Sequence, residues 1–284
     1  MKTKNIHTDF GKEISDVDIT KLDKEESAKI IELFEEYSLL IIKNQKITND
    51  EQIKFSKIFG KLEITKPGTL GSNSNVVILT NIDEFGNVVS TSHKQSKNDK
   101  ANQQWHSDSS FKIVPAQASI LSGKKIPSQG GNTDFVSMRN VYENLKEDIK
   151  LKVDELKAVH HFAHSRSKID EKMVSKEEYE KFPPVIQPMV KINPKNKKKA
   201  LYFGSHTAYV KDLSKNESIG LLNYLLDFAT KEKFIYSHEW EENDLLIWDN
   251  RAILHRGKSY NPEEPRYLVR TTVEDSFTRA EYLN

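Results

Sequence analysis

Asp244-Leu-Leu-Ile-Trp-Asp-Asn-Arg-Ala-Ile-Leu-His255-Arg-Gly257 holds two short apolar runs, each closed by polar or turn-forming residues. Runs of this length read as buried strands, Leu245 to Trp248 and Ile253 to His255. Further strands are expected on both sides, at Phe234 to His238 and Tyr267 to Val273. Upstream, Ser38 to Ile42, Val76 to Thr80, Ala118 to Leu121 and Thr133 to Val136 read the same way, and Met189 to Phe203 reads as a hairpin turning at Asn193 to Asn196. Helical spacing predicts amphipathic helices at Lys24 to Tyr37, Asp50 to Phe59, Val141 to Leu145, Glu147 to Leu156 and Glu217 to Thr230. The last of these sets Ile219, Leu222, Leu225, Leu226 and Ala229 on one face. Many short strands with helices gathered between them imply a mixed α/β, mainly β fold: a β-sandwich or jelly roll with flanking helices.

His255 closes an apolar run just before Gly257, the position of a side chain presented at the rim of a buried strand. A matching signal lies upstream in Gln104-Trp-His-Ser-Asp-Ser-Ser-Phe111. On extended backbone, side chains two residues apart point the same way, so His106 and Asp108 can aim at one point while Ser107 points away. Two histidines and a carboxylate, with other positions left open, form the donor set of non-haem Fe(II) oxygenases.

Composition narrows the alternatives. At 284 residues and 36% hydrophobic content, the chain is expected to be one domain, 1–284, carrying a lid or loop insertion at about 67–101 where Gly, Ser, Asn and Lys dominate. Lys and Arg number 43 against 42 Asp and Glu, so no overall field favours nucleic acid or an anionic membrane. The run Lys195 to Lys199 reads as a solvated hairpin tip, with no interleaved aromatics for stacking on bases. There is no cysteine, so a transition metal must be held by His and carboxylate. No apolar run is long enough to span a bilayer, and a soluble cytoplasmic protein is the expectation. Lys157 to Ser165 reads as a further strand, its His160, His161 and His164 being strand histidines.

Six motifs occur in order: Asn102-Gln-x-Trp-His-Ser-Asp-Ser-Ser-Phe111, Gly130-Gly-Asn-Thr-Asp-Phe135, Phe182-Pro-Pro184, Leu201-Tyr-Phe-Gly-Ser-His206, Trp248-Asp-Asn-Arg251 and His255-Arg-Gly257. With these the chain resembles the Fe(II)- and 2-oxoglutarate-dependent dioxygenases of the taurine dioxygenase and 2,4-dichlorophenoxyacetate dioxygenase (TauD/TfdA) family, and the latter branch more closely. The resemblance implies a double-stranded β-helix with Fe(II) held by His106, Asp108 and His255. It implies Thr133 and Arg266 for the distal carboxylate of 2-oxoglutarate, with Trp248 beside that cosubstrate. Arg270, four residues beyond Arg266, is implied for the anionic group of the primary substrate, and Asn102 and His206 for the walls of its pocket. One departure is Asn132, where the family commonly has Asp; Thr133 is kept.

The reaction so implied consumes O2 and 2-oxoglutarate, yields succinate and carbon dioxide, and hydroxylates a small anionic molecule, an aryloxyalkanoate-like carboxylate or a sulfonate. A taurine or alkylsulfonate dioxygenase is the nearest alternative. A non-catalytic jelly-roll sensor of 2-oxoglutarate and a hydrolase activating water on a His/Asp-bound ion are the rivals from other classes. The number of subunits, one or a homo-oligomer, is left open.

Overall fold

The computed structural model describes residues 1–65, 70–71, 73–89 and 94–283. Its largest sheet has seven strands in the order Lys2–Asn5, Lys12–Ser15, Leu39–Ile42, Leu245–Asp249, Ala116–Lys125, Tyr267–Glu274 and Val76–Thr80. All neighbours are antiparallel except Lys12–Ser15 with Leu39–Ile42. A three-stranded sheet runs Ile235–His238, Thr133–Ser137, Ile253–Gly257. A four-stranded sheet runs Thr207–Val210, Lys157–His160, Val185–Pro188, Glu281–Tyr282, and Val190–Ile192 pairs with Lys199–Leu201.

The apolar strands explain the layering. In Leu39–Ile42 and Leu245–Trp248 successive side chains face opposite ways, and both faces are covered. Leu39, Ile41, Leu246 and Trp248 meet Phe135 and Ile253 of the three-stranded sheet. Leu40, Ile42, Leu245 and Ile247 meet Ile30, Phe34 and Phe55 from the helices Lys24–Tyr37 and Asn49–Ser56. Beyond the three-stranded sheet, Val136 and Leu254 pack with Val141 and Leu225 from the helices Met138–Glu143 and Lys215–Ala229. Two sheets face to face between outer helices make the double-stranded β-helix with flanking helices that the motifs imply. Among the described residues no helix is long and apolar enough to cross a membrane.

Helix starts follow from capping chemistry. Asp23, Thr48, Ser175 and Ser214 each accept from the backbone of a Glu three residues on, while that Glu reaches back to the cap. Asn49–Ser56 ends earlier than the expected Phe59, and Gly60 sits at φ +143°.

Three expectations need correction, and one pair of strands was not anticipated. Lys157 to Ser165 is strand only through His160; the chain then turns into the helix Phe162–Ser167, so alternation of its three histidines does not hold. The 67–101 stretch contains the expected strand Val76–Thr80 but closes in a helix, Lys94–Asn102, whose polar sequence carries no apolar stripe. Residues 67–69, 72 and 90–93 of the expected lid lie outside the described residues. In Lys215–Ala229 the buried positions are Ser218, Leu221, Leu225 and Ala229, whereas Ile219 is exposed. Finally, the paired strands Lys2–Asn5 and Lys12–Ser15 had no apolar signal to announce them.

Candidate active site

The two distant motifs meet through backbone. His106 and His255 form an isolated antiparallel bridge in which each N–H donates to the other's carbonyl, both at 2.9 Å. Extended backbone ends there: Asp108 opens a turn, and Ser109 takes φ +52°. His106 and Asp108 nonetheless face one point. Ser107 turns away and donates to the Ile253 carbonyl at 3.1 Å, while Asp108 faces the histidines.

His106 Nε2 lies 3.9 Å from Asp108 Oδ1, and His255 Nε2 lies 3.7 Å from Asp108 Oδ2. One donor atom from each residue falls within 4.8 Å of the others, and all three residues are buried. The Gln104 carbonyl, 2.7 Å from His106 Nδ1, assigns the proton to that nitrogen and leaves Nε2 as a lone pair facing the cluster. Burial pushes both imidazoles below their usual range, His255 further because His106 sits beside it. Burial would raise the Asp108 carboxyl, but the Arg270 guanidinium, helped by the Ser119 hydroxyl, outweighs it and holds the group well below the usual carboxylate range. Two neutral imidazoles and an ionised carboxylate are the protonation states that metal ligation requires. The donor chemistry therefore fits a ferrous ion, which these three residues would hold.

Asp108 is held by more than its charge. Ser119 Oγ donates to Asp108 Oδ2 at 2.6 Å and accepts from Asn250 Nδ2 at 2.9 Å. Asn250 Oδ1 in turn accepts from the Asp108 backbone at 3.1 Å and from Trp248 Nε1 at 3.0 Å. Behind this, Arg251 and Arg139 pair with the buried Asp249, and Arg251 also with Glu35, fixing the loop between the Leu245 and Ile253 strands.

His106 lines two cavities. The smaller, about 50 Å³, also has Thr133, Trp248, His255, Arg266 and Tyr260 on its walls. Thr133 Oγ1 accepts from Trp240 Nε1 at 3.0 Å, and the Trp248 ring lies 4.7 Å from that of His255. Arg266 is buried, its guanidinium 5.2 Å from the Tyr260 ring, and among the described residues no acid pairs with it within 4.0 Å. The three residues implied for 2-oxoglutarate thus share one small pocket against the donor cluster.

The larger cavity, about 490 Å³, is walled by Phe111, Phe162 and Phe182 on one side and by Val77, Ile78 and Leu79 on another. Arg270 lines both cavities and donates from Nη1 to Asp108 Oδ1 at 2.5 Å. Asn102 also lines both; His206 lines the larger, its ring 6.4 Å from that of His106 and 4.7 Å from that of Phe111. His160, His161 and His164 line neither. His160 is instead buried against Ser110 Oγ at 3.0 Å and Thr207 Oγ1 at 3.3 Å, where burial pushes its imidazole down to about 3.

Sequence reasoning missed several residues here. Ser119 and Asn250 carried no donor pattern of their own, although Asn250 lies inside a quoted motif. Arg166 lines the large cavity from the helix Phe162–Ser167, one residue past the stretch Lys157 to Ser165 that reads as strand. Asp99 and Tyr260, which line the small cavity, stand in polar stretches with no periodicity to mark them.

Comparison with known proteins agrees with this geometry. The profile of the taurine catabolism dioxygenase TauD, TfdA family matches residues 2–272. The alpha-ketoglutarate-dependent 2,4-dichlorophenoxyacetate dioxygenase of Cupriavidus pinatubonensis is 33% identical over 276 residues, covering 95% of this chain and 96% of that protein. The (S)-phenoxypropionate/alpha-ketoglutarate-dioxygenase of Sphingobium herbicidovorans is 32% identical over 267 residues, 91% of this chain and 90% of its own. The crystal structure of AAD-2 in complex with Mn(II) and N-oxalylglycine superposes with a TM-score of 0.91 at 30% identity, covering 98% of this chain and 100% of that one.

Proposed function

Because the chain belongs to the TauD/TfdA family of Fe(II)- and 2-oxoglutarate-dependent dioxygenases, we propose that it hydroxylates a small aryloxyalkanoate-like carboxylate at a metal held by His106, Asp108 and His255. The observation that carries the reading is the cluster of three buried donor atoms at the junction of a cationic small pocket and an aromatic-walled larger one. With Fe(II), 2-oxoglutarate and O2 bound, the site supplies oxidative decarboxylation to succinate and carbon dioxide, coupled to insertion of oxygen into a substrate C–H bond.

The chain's own residues divide the remaining work. Arg266 presents a planar fork to the distal carboxylate of 2-oxoglutarate, and it stays charged where an ammonium would titrate. Thr133 adds a hydroxyl beside it, and Trp248 closes the pocket against His255. In the larger cavity Arg270 takes the substrate's anionic group, which must compete with Asp108 for that guanidinium. Phe111, Phe162 and Phe182 form a cluster of tilted and edge-to-face rings, with centroids 4.9–5.5 Å apart, and offer an aromatic substrate ring faces and edges. Asn102 and His206 complete the wall. The whole of 1–284 is read as one catalytic domain, acting in the cytoplasm on small molecules.

Succinate release from a panel of aryloxyacetates, aryloxypropionates and alkylsulfonates, under air with Fe(II) and 2-oxoglutarate, tests the reading. Release with the aryl acids is expected; release with sulfonates alone would favour the alkylsulfonate alternative. Loss of turnover is expected in His106→Ala with the fold intact by circular dichroism, and full turnover there would sink the assignment. Arg266→Ala should raise the 2-oxoglutarate requirement and Arg270→Ala the primary-substrate requirement. Equal effects on both ligands would refute that division.

A further inference from the structure

Asp99 stands where the small pocket meets the large one, and the mechanism above gives it no task. It projects from the helix Lys94–Asn102 and lines both cavities, and its Oδ2 accepts from Tyr260 Oη at 2.8 Å. Tyr260 in turn lies under the Arg266 guanidinium. Burial raises the Asp99 carboxyl above the usual range, while Arg266 and the Tyr260 hydroxyl pull it back, so Asp99 lies within the field of the guanidinium assigned to the cosubstrate.

Among the described residues, Glu63, Asp108, Lys112 and Arg166 share the large cavity with Asp99, and the other charged groups border the small one. Lys258 and Tyr260 follow the strand Ile253–Gly257; Arg266 and Arg270 flank or belong to Tyr267–Glu274; His106 and His255 lie across the pocket. Leu79 and Thr80 of Val76–Thr80 bring no charge. On its own helix, Lys97 is paired with Asp170 at 2.7 Å and Lys100 is exposed. Among the described residues Arg266 is the cation whose charge acts on Asp99, and so the one it would share with an incoming carboxylate. Two ionised carboxylates around one buried guanidinium repel each other, and one is driven to take a proton.

We propose that Asp99, steadied by Tyr260, is a positioning residue of the 2-oxoglutarate pocket and accepts one proton from solvent when the cosubstrate's distal carboxylate arrives at Arg266. The proposal rests on the cosubstrate reading of Arg266. Binding is then linked to pH: over the interval in which Asp99 is ionised in the free protein and protonated in the complex, affinity for 2-oxoglutarate falls about tenfold per pH unit. Asp99 also ties the Lys94–Asn102 helix to the pocket through Tyr260, so the same proton reports on the helix that borders the substrate cavity.

Calorimetric titration of the Mn(II)-loaded protein with 2-oxoglutarate, in buffers of different ionisation enthalpy between pH 6 and 8, counts the protons. The wild type should take up close to one proton per ligand over part of that range. Asp99→Asn keeps the shape and an acceptor for Tyr260 but cannot ionise; it should take up none and should bind more tightly than the wild type at pH 8. Tyr260→Phe removes a donor to the ionised carboxylate, so the uptake curve should move to higher pH. Binding by the wild type without proton uptake overturns the proposal, as does uptake that persists in Asp99→Asn or a curve unmoved by Tyr260→Phe. Failure of the wild type to bind 2-oxoglutarate at all would instead strike the dioxygenase reading and the proposal together.

Discussion

Ser119→Ala isolates the hydrogen-bonded support of the carboxylate proposed to bind the metal, Asp108, from the carboxylate itself. The substitution deletes one oxygen and leaves the backbone of the Ala116–Lys125 strand untouched. Asp108 Oδ2 loses a 2.6 Å bond, and Asn250 Nδ2 loses its acceptor. A hydrogen bond to a charged group contributes about 1.5–3 kcal/mol, and only the part that differs between metal-free and metal-bound forms reaches the binding constant. Loss of such outer-shell partners accordingly weakens metal affinity by about 10–100-fold. The unpaired amide costs a further ~1–3 kcal/mol of folding stability. Anaerobic titration with Fe(II), or with Mn(II) in air, reads the first quantity, and urea unfolding of the metal-free protein reads the second. Ser122→Ala is the control: Ser122 is equally buried on the same strand but donates to Gln52 Oε1 at 2.7 Å, remote from the donor cluster. It should lose stability and keep its metal affinity. If Ser119→Ala binds metal within threefold of the wild type, or if Ser122→Ala weakens binding as much, the supporting role is refuted.

Two further outcomes follow from packing and burial. A Cβ at Gly204 would lie 3.1 Å from His106 Cα and 3.2 Å from the Trp105 carbonyl, so Gly204→Ala should push the His106 backbone, costing about 1–3 kcal/mol of stability and weakening metal binding; an unchanged metal dissociation constant would show that the backbone yields freely. Burial pushes the Lys191 ammonium down to about 8 although Asp275 lies 3.9 Å away, whereas the unfolded value is near 10.5. Between those values the unfolded chain holds more protons than the native one, so this residue makes stability rise with pH by up to ~3 kcal/mol. The rise should be missing from Lys191→Met and so appear in the difference between wild type and variant in urea melts from pH 7 to 10.5, and equal slopes would refute it.

What the sequence discloses depends on whether a residue's task repeats along the chain. Leu39–Ile42 and Leu245–Trp248 are apolar at every position because both faces of their sheet are covered, and the run is visible without coordinates. His106, Asp108 and His255 are visible for another reason: few residue types can bind a metal, and their spacing is set by strand geometry. Arg266, Thr133 and Trp248 were reachable only through motifs in family order. The Phe162–Ser167 helix hid because six residues are too few for helical periodicity to separate from alternation. Lys94–Asn102 hid because nothing in it is apolar but Ala101. Asp99 and Arg166 were lost with those two helices, since a lone charged residue gains meaning only from the wall it faces.

The mutual bridge between His106 and His255 joins points 149 positions apart (255 − 106). Closing so long a stretch of chain is entropically costly and slow, and nothing rewards it until both partners exist. A ribosome that has passed the first two donors has made a polypeptide holding only a bidentate scrap of the future centre. For the proposed centre, iron capture waits until position 255 has been made, and any chain released before it carries no complete trap for a redox-active ion.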